Sequence, residues 1–232
     1  MLGGALVAGR AMASALPSAA QNPVAAVCRP VLVADGKSFA AGTAFLMEQP
    51  RPSAAVLVVT ALHLFGPQGG LARAIPAADL PTRARLDSCK AQDGSVWRGG
   101  RAMAVEDATP LGPPFRDLAA FAPRVDGLAG ASILHIAAQP PAIGDDVWVV
   151  AAMEGDGRLR LHRARVVHSA SDALQYIFGD PSLSLLATSG APVVNADGEV
   201  VGLHLGGGKD GADLLGTAVS TDRLKTLAMA AQ

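Results

Sequence analysis

Short apolar runs, each closed by turn-forming residues, dominate this sequence of 232 residues. From residue 24 onwards, segments rich in Val, Leu, Ile and Ala are interrupted about every ten residues by Gly, Pro, Asp or Asn. This spacing is typical of antiparallel sandwiches and barrels, because the strands and helices of a parallel sheet need longer units. The pattern therefore predicts an all-β protein.

A hairpin is indicated by NADGE at residues 195–199. An Asp-Gly pair tolerates the positive φ angles of a tight primed turn, so we expect that turn to join two strands. Ser189 stands just before the first of these strands, and His204 lies on the second.

A helical pattern is visible only at the C-terminal end, residues 220–232. Ser220 and Thr221 are capping residues, and apolar residues follow at helical spacing. Breaks in the pattern divide the rest into a leader at 1–22 and two β units at 23–125 and 130–219.

The leader consists of small and apolar residues without an acid. Its Ser-Ala-Leu and Ser-Ala-Ala segments resemble cleavage sites of exported proteins, which suggests a periplasmic or secreted protein. It lacks a positively charged start, and Arg10 interrupts the apolar part. A cleaved signal peptide and a disordered or mis-started leader both fit.

Composition excludes several classes of function. The formal net charge is -1 and no block of like charges occurs, so the chain has no basic surface for nucleic acid. No apolar run is long enough for a membrane span. Cys28 and Cys89, the only cysteines, lack the spacing of a zinc site. They fit a disulfide in an exported protein or two separate thiols, and the sequence indicates neither a metal nor a cofactor.

Three chemically active residues stand in similar surroundings at the ends of apolar runs. A serine hydroxyl becomes a nucleophile only when a base accepts its proton and donors stabilise the oxyanion. Ser189 lies in TSGAP, His63 ends VVTALH, and Asp117 opens an apolar run in RDLAAF. The order His63, Asp117, Ser189 is that of chymotrypsin-like enzymes and differs from that of subtilisins and α/β-hydrolases.

Four segments, GTAFLM, VVTALH, RDLAAF and TSGAPVVNADGEVVGLHLGG, resemble in order the landmarks of chymotrypsin-fold bacterial serine proteases. The resemblance covers about residues 24–228. It implies two antiparallel six-stranded β-barrels of the chymotrypsin-like fold with a C-terminal helix. It also implies a peptide or protein substrate bound in the cleft between the barrels.

The same resemblance assigns roles to the three residues. His63 would act as the base, Asp117 would orient its imidazole, and Ser189 would attack the peptide carbonyl. The backbone N–H groups of Ala187 and Ser189 would form the oxyanion hole, although the family usually has glycine where this chain has Ala187.

The VVGLHLGG segment is most similar to bacterial glutamyl endopeptidases, whose pocket histidine binds the substrate glutamate. His204 would then bind a Glu side chain, together with Ser184, five positions before Ser189. Viral relatives with a similar histidine prefer Gln, so a neutral hydrogen-bonding role is also open. Leu183 stands where trypsin-type enzymes place an acid, which argues against cleavage after Lys or Arg.

Two other classes are consistent with parts of the sequence. A protease-fold protein without activity would use the cleft to bind a peptide or partner. A lipase or esterase on an α/β-hydrolase fold would need a GxSxG elbow and alternating helices, and the sequence has neither.

Overall fold

A computed structural model describes residues 22–50, 55–124, 128 and 131–231. The predicted leader lies, apart from Asn22, outside the described residues. The described part is mostly β-structure in two units, with a helix at its C-terminal end.

Seven strands form the first unit: β1 (Val27–Ala34), β2 (Lys37–Ala40), β3 (Ala44–Glu48), β4 (Val56–Thr60), β5 (Ala84–Ala91), β6 (Val96–Arg98) and β7 (Ala119–Phe121). They pair in the order β6-β5-β1-β3-β4-β7, and β2 pairs with β1. Isolated bridges, from Arg101 to Arg85 and from Ala102 to Phe121, and a backbone hydrogen bond from the Arg124 N–H to the Arg98 carbonyl at 2.9 Å link the two edges. The expected first six-stranded barrel is therefore a seven-stranded half-barrel.

Six strands form the second unit: β8 (Asp146–Ala151), β9 (Arg160–Ser169), β10 (Leu174–Phe178), β11 (Pro192–Val194), β12 (Val200–Asp210) and β13 (Asp213–Ser220). They close into a barrel in the order β10-β13-β12-β11-β8-β9. In β10, buried residues alternate with partly exposed ones, as expected for a barrel wall with one face in the core. The all-β prediction with a closed six-stranded barrel is confirmed for this unit.

The helices are short. They are α1 (Leu80–Arg83), α2 (Thr221–Met229) and 3-10 helices at Pro23–Ala26, Leu62–Phe65, Pro67–Gly69 and Ala77–Asp79. The Ser220 side chain caps α2 by accepting a hydrogen bond from the Arg223 N–H at 3.4 Å, which confirms the predicted helix. No helix in the described part of the chain is long and apolar enough to cross a membrane.

Helix α2 is fastened to the first unit through a buried amide. The Gln49 side chain donates to the carbonyl oxygens of Ala228 at 2.8 Å and Ala231 at 3.1 Å. These bonds satisfy carbonyls at the end of the helix that have no partner within it. The C-terminal helix thereby packs against both units of the fold.

The 195–199 hairpin exists, but its turn is not a primed one. Gly198 alone has a positive φ, +78°, and its N–H donates to the Asn195 carbonyl at 3.1 Å. Three residues between paired Asn195 and Glu199 require a turn followed by one left-handed residue. The two-residue primed geometry occurs at Asp35-Gly36, where both φ angles are positive, between β1 and β2.

Cys28 and Cys89 form a disulfide, which decides between the two alternatives left open by the sequence. Cys28 lies on β1 and Cys89 on β5, and these two strands pair directly. Both residues are fully buried. The bond therefore joins strands inside the core of the first unit.

Candidate active site

His63 lies where β4 ends and a 3-10 helix begins. The apolar residues of β4 are buried, and the chain turns at Ala61 so that His63 falls in the first turn of the helix Leu62–Phe65. Only 4% of the His63 residue is exposed. A histidine this deeply buried needs hydrogen-bonding partners for its ring.

Asp117 supplies that partner from the segment before β7. Its carboxylate is fully buried and accepts three N–H groups. Oδ1 accepts the backbone N–H of His63 at 2.9 Å, and Oδ2 accepts His63 Nδ1 at 2.8 Å and the backbone N–H of Leu111 at 2.9 Å. An unpaired carboxylate at this depth would be strongly unfavourable, and the three donors offset its desolvation.

These bonds define the tautomer of His63. An ionised carboxylate can only accept hydrogen bonds, so Nδ1 of His63 carries a proton. In the neutral ring Nε2 is then unprotonated and has its lone pair available. The pair is chemically equipped to accept a proton at Nε2 and to stabilise the resulting imidazolium.

Ser189 lies in the turn between β10 and β11, and this turn packs on the first unit. Its carbonyl accepts the Thr43 N–H at 2.9 Å. Gly190, at φ +88°, leaves no room for a Cβ, because that atom would overlap the Thr43 carbonyl oxygen and the Thr60 hydroxyl. Thr60 lies three residues before His63. The serine turn and the histidine segment are thus held together by backbone contacts.

The Ser189 hydroxyl makes no hydrogen bond to His63 in this structure. Its Oγ donates to the Leu205 carbonyl at 2.9 Å, on β12. The hydroxyl must leave this carbonyl before it can donate to His63. Ser189 is partly exposed.

The residues expected to form the oxyanion hole have free N–H groups. Within the described ranges, the N–H groups of Ala187 and Ser189 donate to no protein acceptor, whereas that of Thr188 between them donates to the Leu185 carbonyl. Ala187 has a φ of +60°, which strains any residue with a Cβ. The Thr43 hydroxyl holds the Ala187 carbonyl at 3.0 Å. The turn therefore keeps an unfavourable conformation that leaves two donors unoccupied.

His204 is fully buried, and both ring nitrogens are engaged. Thr188 Oγ1 donates to the Leu185 carbonyl at 2.7 Å, so it accepts from His204 Nε2 at 3.0 Å. His204 Nδ1 then accepts the Tyr176 hydroxyl at 2.6 Å. The result is one chain of hydrogen bonds from Tyr176 through His204 and Thr188 to the loop before Ser189.

Burial makes this histidine a neutral group. Burial is the larger cause and the positive charge that nearby His63 can carry is the smaller one, and together they lower the pKa of His204 to about 3. Burial likewise raises the pKa of Tyr176 well above its ordinary value, so its hydroxyl keeps its proton. His204 is therefore a hydrogen-bond donor at Nε2 without charge.

The two other residues considered for the pocket, Ser184 and Leu183, are less buried than His204. Ser184 is exposed, and its Oγ accepts the Leu186 N–H at 3.3 Å. Leu183 is partly buried and packs against the core of the second barrel. Neither of these side chains hydrogen-bonds to the His204 ring among the described residues.

Two contacts of this site were missed by sequence reasoning. Tyr176 is the only tyrosine of the chain and lies on a strand in which buried and partly exposed residues alternate. A buried hydroxyl that needs a hydrogen-bond partner could therefore have been anticipated. The Leu111 N–H has no sequence signal, because a backbone donor carries no side-chain signature. No cluster of His, Cys, Asp and Glu suited to a metal is present in the part of the chain that the structure describes.

Comparison with known proteins identifies the family of the chain. The family model described as trypsin-like peptidase domain matches residues 42–203. No curated protein matches the chain by sequence. Among solved structures, the active form of the Rv3671c protease from M. tuberculosis has a TM-score of 0.58 at 18% identity, covering 97% of this chain and 94% of that chain.

Two more solved structures have the same fold. The inactive form of the Rv3671c protease has a TM-score of 0.54 at 17% identity and covers 88% of each chain. A human pathogenic astrovirus serine protease has a TM-score of 0.51 at 18% identity, covering 85% of this chain and 90% of that chain. The family model spans more than half of the sequence. The chain therefore belongs to the trypsin-like peptidase domain family and is, by family, a serine peptidase.

Proposed function

We propose that the protein is an endopeptidase in which Ser189 is the nucleophile, His63 the general base and Asp117 the residue that orients His63. The observation that carries the proposal is the buried His63–Asp117 pair, bonded at 2.8 Å through Nδ1. This pairing leaves Nε2 as the proton acceptor in the neutral ring. The Ser189 turn packs on the same segment that carries His63.

The reaction follows from these positions. Ser189 rotates away from the Leu205 carbonyl, and His63 Nε2 takes its proton as Oγ attacks the peptide carbonyl. The N–H groups of Ala187 and Ser189 stabilise the oxyanion that forms. His63 then donates the proton to the leaving amine. A water molecule, activated in the same way, hydrolyses the acyl-enzyme and restores the Ser189 hydroxyl.

Covalent labelling with a fluorophosphonate tests this proposal. The wild-type protein should react at one serine, Ser189→Ala should not react, and His63→Ala should react at least about 100-fold more slowly. Ser184→Ala is the matched control, because Ser184 is an exposed serine in the same loop and should label normally. A folded wild-type protein that does not label would instead be a protease-fold module that binds a peptide or partner.

We propose further that the substrate residue before the scissile bond is Glu or Gln, with Gln favoured. His204 Nε2–H and the Thr188 oxygen, which are bonded to each other at 3.0 Å, become one donor and one acceptor when they separate, and this pair complements an amide. A carboxylate has only acceptors and would face the Thr188 oxygen without a cation. Since both residues are buried and Thr188 belongs to the loop before Ser189, the substrate side chain must move this loop and insert between the two residues.

A peptide library tests the selectivity. The wild-type protein should cleave preferentially after Gln, ahead of Glu, and His204→Ala should lose this preference. Thr188→Val, which removes the acceptor but not His204, should reduce the preference for Gln over Glu. Identical, unselective cleavage by wild type and His204→Ala would refute a role of His204 in recognition.

We also propose that the protein works in an oxidising compartment, either periplasmic or secreted. The buried disulfide between Cys28 and Cys89 supports this location, because such bonds persist outside the reducing cytosol. Fractionation of cells that express the full chain tests it. Recovery of the chain in the cytosol with both thiols free would contradict it.

A further inference from the structure

Leu111 is the third donor to the Asp117 carboxylate, and it is the only one that does not come from His63. Its backbone N–H reaches Oδ2 at 2.9 Å, the same oxygen that holds His63 Nδ1. Loss of this donor would leave Oδ2 with a single partner in a fully buried site. The position of the carboxylate therefore depends on the conformation of Leu111.

That conformation is strained. Leu111 has a φ of +47°, in the left-handed region that a residue with a Cβ adopts at a cost of about 1–2 kcal/mol. The loop around it is closed at its base, where the Thr109 N–H donates to the Arg116 carbonyl at 3.0 Å. Leu111 lies at the tip of this loop, and 44% of the residue is exposed.

We propose that Leu111 is a positioning residue for Asp117: its backbone N–H holds Oδ2 in the place from which the carboxylate orients His63. The inference rests on the proposed endopeptidase function. Loss of the Leu111 donor should lower kcat more than it changes KM, because it acts on the geometry of the reacting groups and not on substrate binding.

Replacing one peptide bond with an ester tests the donor directly. Incorporation of the α-hydroxy analogue of leucine at 111 removes the N–H and keeps the side chain. We expect kcat to fall about 10- to 100-fold with little change in KM, as for one hydrogen bond to a charged group. The acid limb of the kcat/KM profile should move to higher pH, because a carboxylate with one donor fewer favours the imidazolium more strongly.

The matched control is the same replacement at Gly112, whose N–H has no acceptor among the described residues. It should leave kcat and the pH profile unchanged. Equal behaviour of the two ester proteins would overturn the inference while leaving the proposed function intact. A wild-type protein that does not react with the fluorophosphonate would refute the proposed function itself.

Discussion

His204 shows how the position of a residue can be predicted from sequence while its protonation state is left open. The VVGLHLGG segment places it correctly on the strand beside the Ser189 turn. Its neutrality depends on Tyr176, 28 residues away on another strand, and on complete burial. Neither can be derived from the residues around His204, because strand pairing in the closed barrel creates both.

This histidine should make the stability of the protein depend on pH. Folded His204 stays unprotonated down to about pH 3, whereas the unfolded chain binds a proton at this residue below about pH 6.5. Protons therefore favour the unfolded state, and the contribution is complete above pH 6.5 and is lost as the pH falls. His204 should account for about 1.4 kcal/mol of the loss per pH unit.

Urea unfolding at pH 7.5 and pH 5.0 measures this effect. His204→Gln should unfold with a smaller difference between the two pH values than the wild type. Tyr176→Phe is the control, since it removes the hydrogen bond at 2.6 Å but keeps the titrating ring. Both variants should be about 1–3 kcal/mol less stable at pH 7.5. An unchanged pH difference in His204→Gln would show that another group causes the acid lability; burial lowers the pKa of His162 in the same direction.

At the scale of elements, the turn between β10 and β11 depends on Gly190 more than on any side chain in it. A Cβ there would overlap the Thr43 carbonyl and the Thr60 hydroxyl, and φ is +88°. Gly190→Ala should destabilise the protein by more than about 3 kcal/mol, because the Thr43 carbonyl belongs to the main chain and cannot move aside as a flexible side chain can. It should also abolish labelling by the fluorophosphonate.

Gly144→Ala separates the overlap from the strain. Gly144 has a φ of +94°, and an added Cβ would have no neighbour within 4 Å. This variant should be only about 1 kcal/mol less stable than the wild type, from backbone strain alone. The two free energies of unfolding come from the same urea titrations. Equal losses would mean that the close approach to Thr43 does not support the turn.

Strands and their turns were easier to predict than their closure. The Asp-Gly pair at 197–198 predicted a hairpin, and β11 and β12 pair across it. The number of residues between paired strands then determined the turn type, which a dipeptide signal does not contain. The edges of the half-barrel meet through isolated bridges at Arg101 and Ala102, which have no strand pattern of their own.

For the molecule as a whole, the disulfide is the main covalent constraint on the unfolded chain. Cys28 and Cys89 are 61 residues apart, and both lie in the core. Replacing both with alanine should reduce the free energy of unfolding by about 4 kcal/mol, from the entropy that the open loop regains. Urea unfolding without a reductant measures the loss.

The reduced wild-type protein should unfold at nearly the same urea concentration as the double alanine variant. Addition of reductant to that variant should have no effect. A loss below about 1 kcal/mol would indicate that the unfolded chain stays compact around the two residues. The pairing itself was left open by the sequence, since two cysteines fit a bond or separate thiols until β1 and β5 are known to be neighbours.

The seating of the Ser189 turn on the main chain of Thr43 and beside Thr60 has an evolutionary consequence. Main-chain atoms are present whatever the side chains, so substitutions in the surrounding loops can leave the geometry of the proton transfer unchanged. Proteins that evolve from such a scaffold can change their substrates and keep the same chemistry. Diversification should then accumulate around Leu111 and Leu186, and Gly190 should tolerate no replacement.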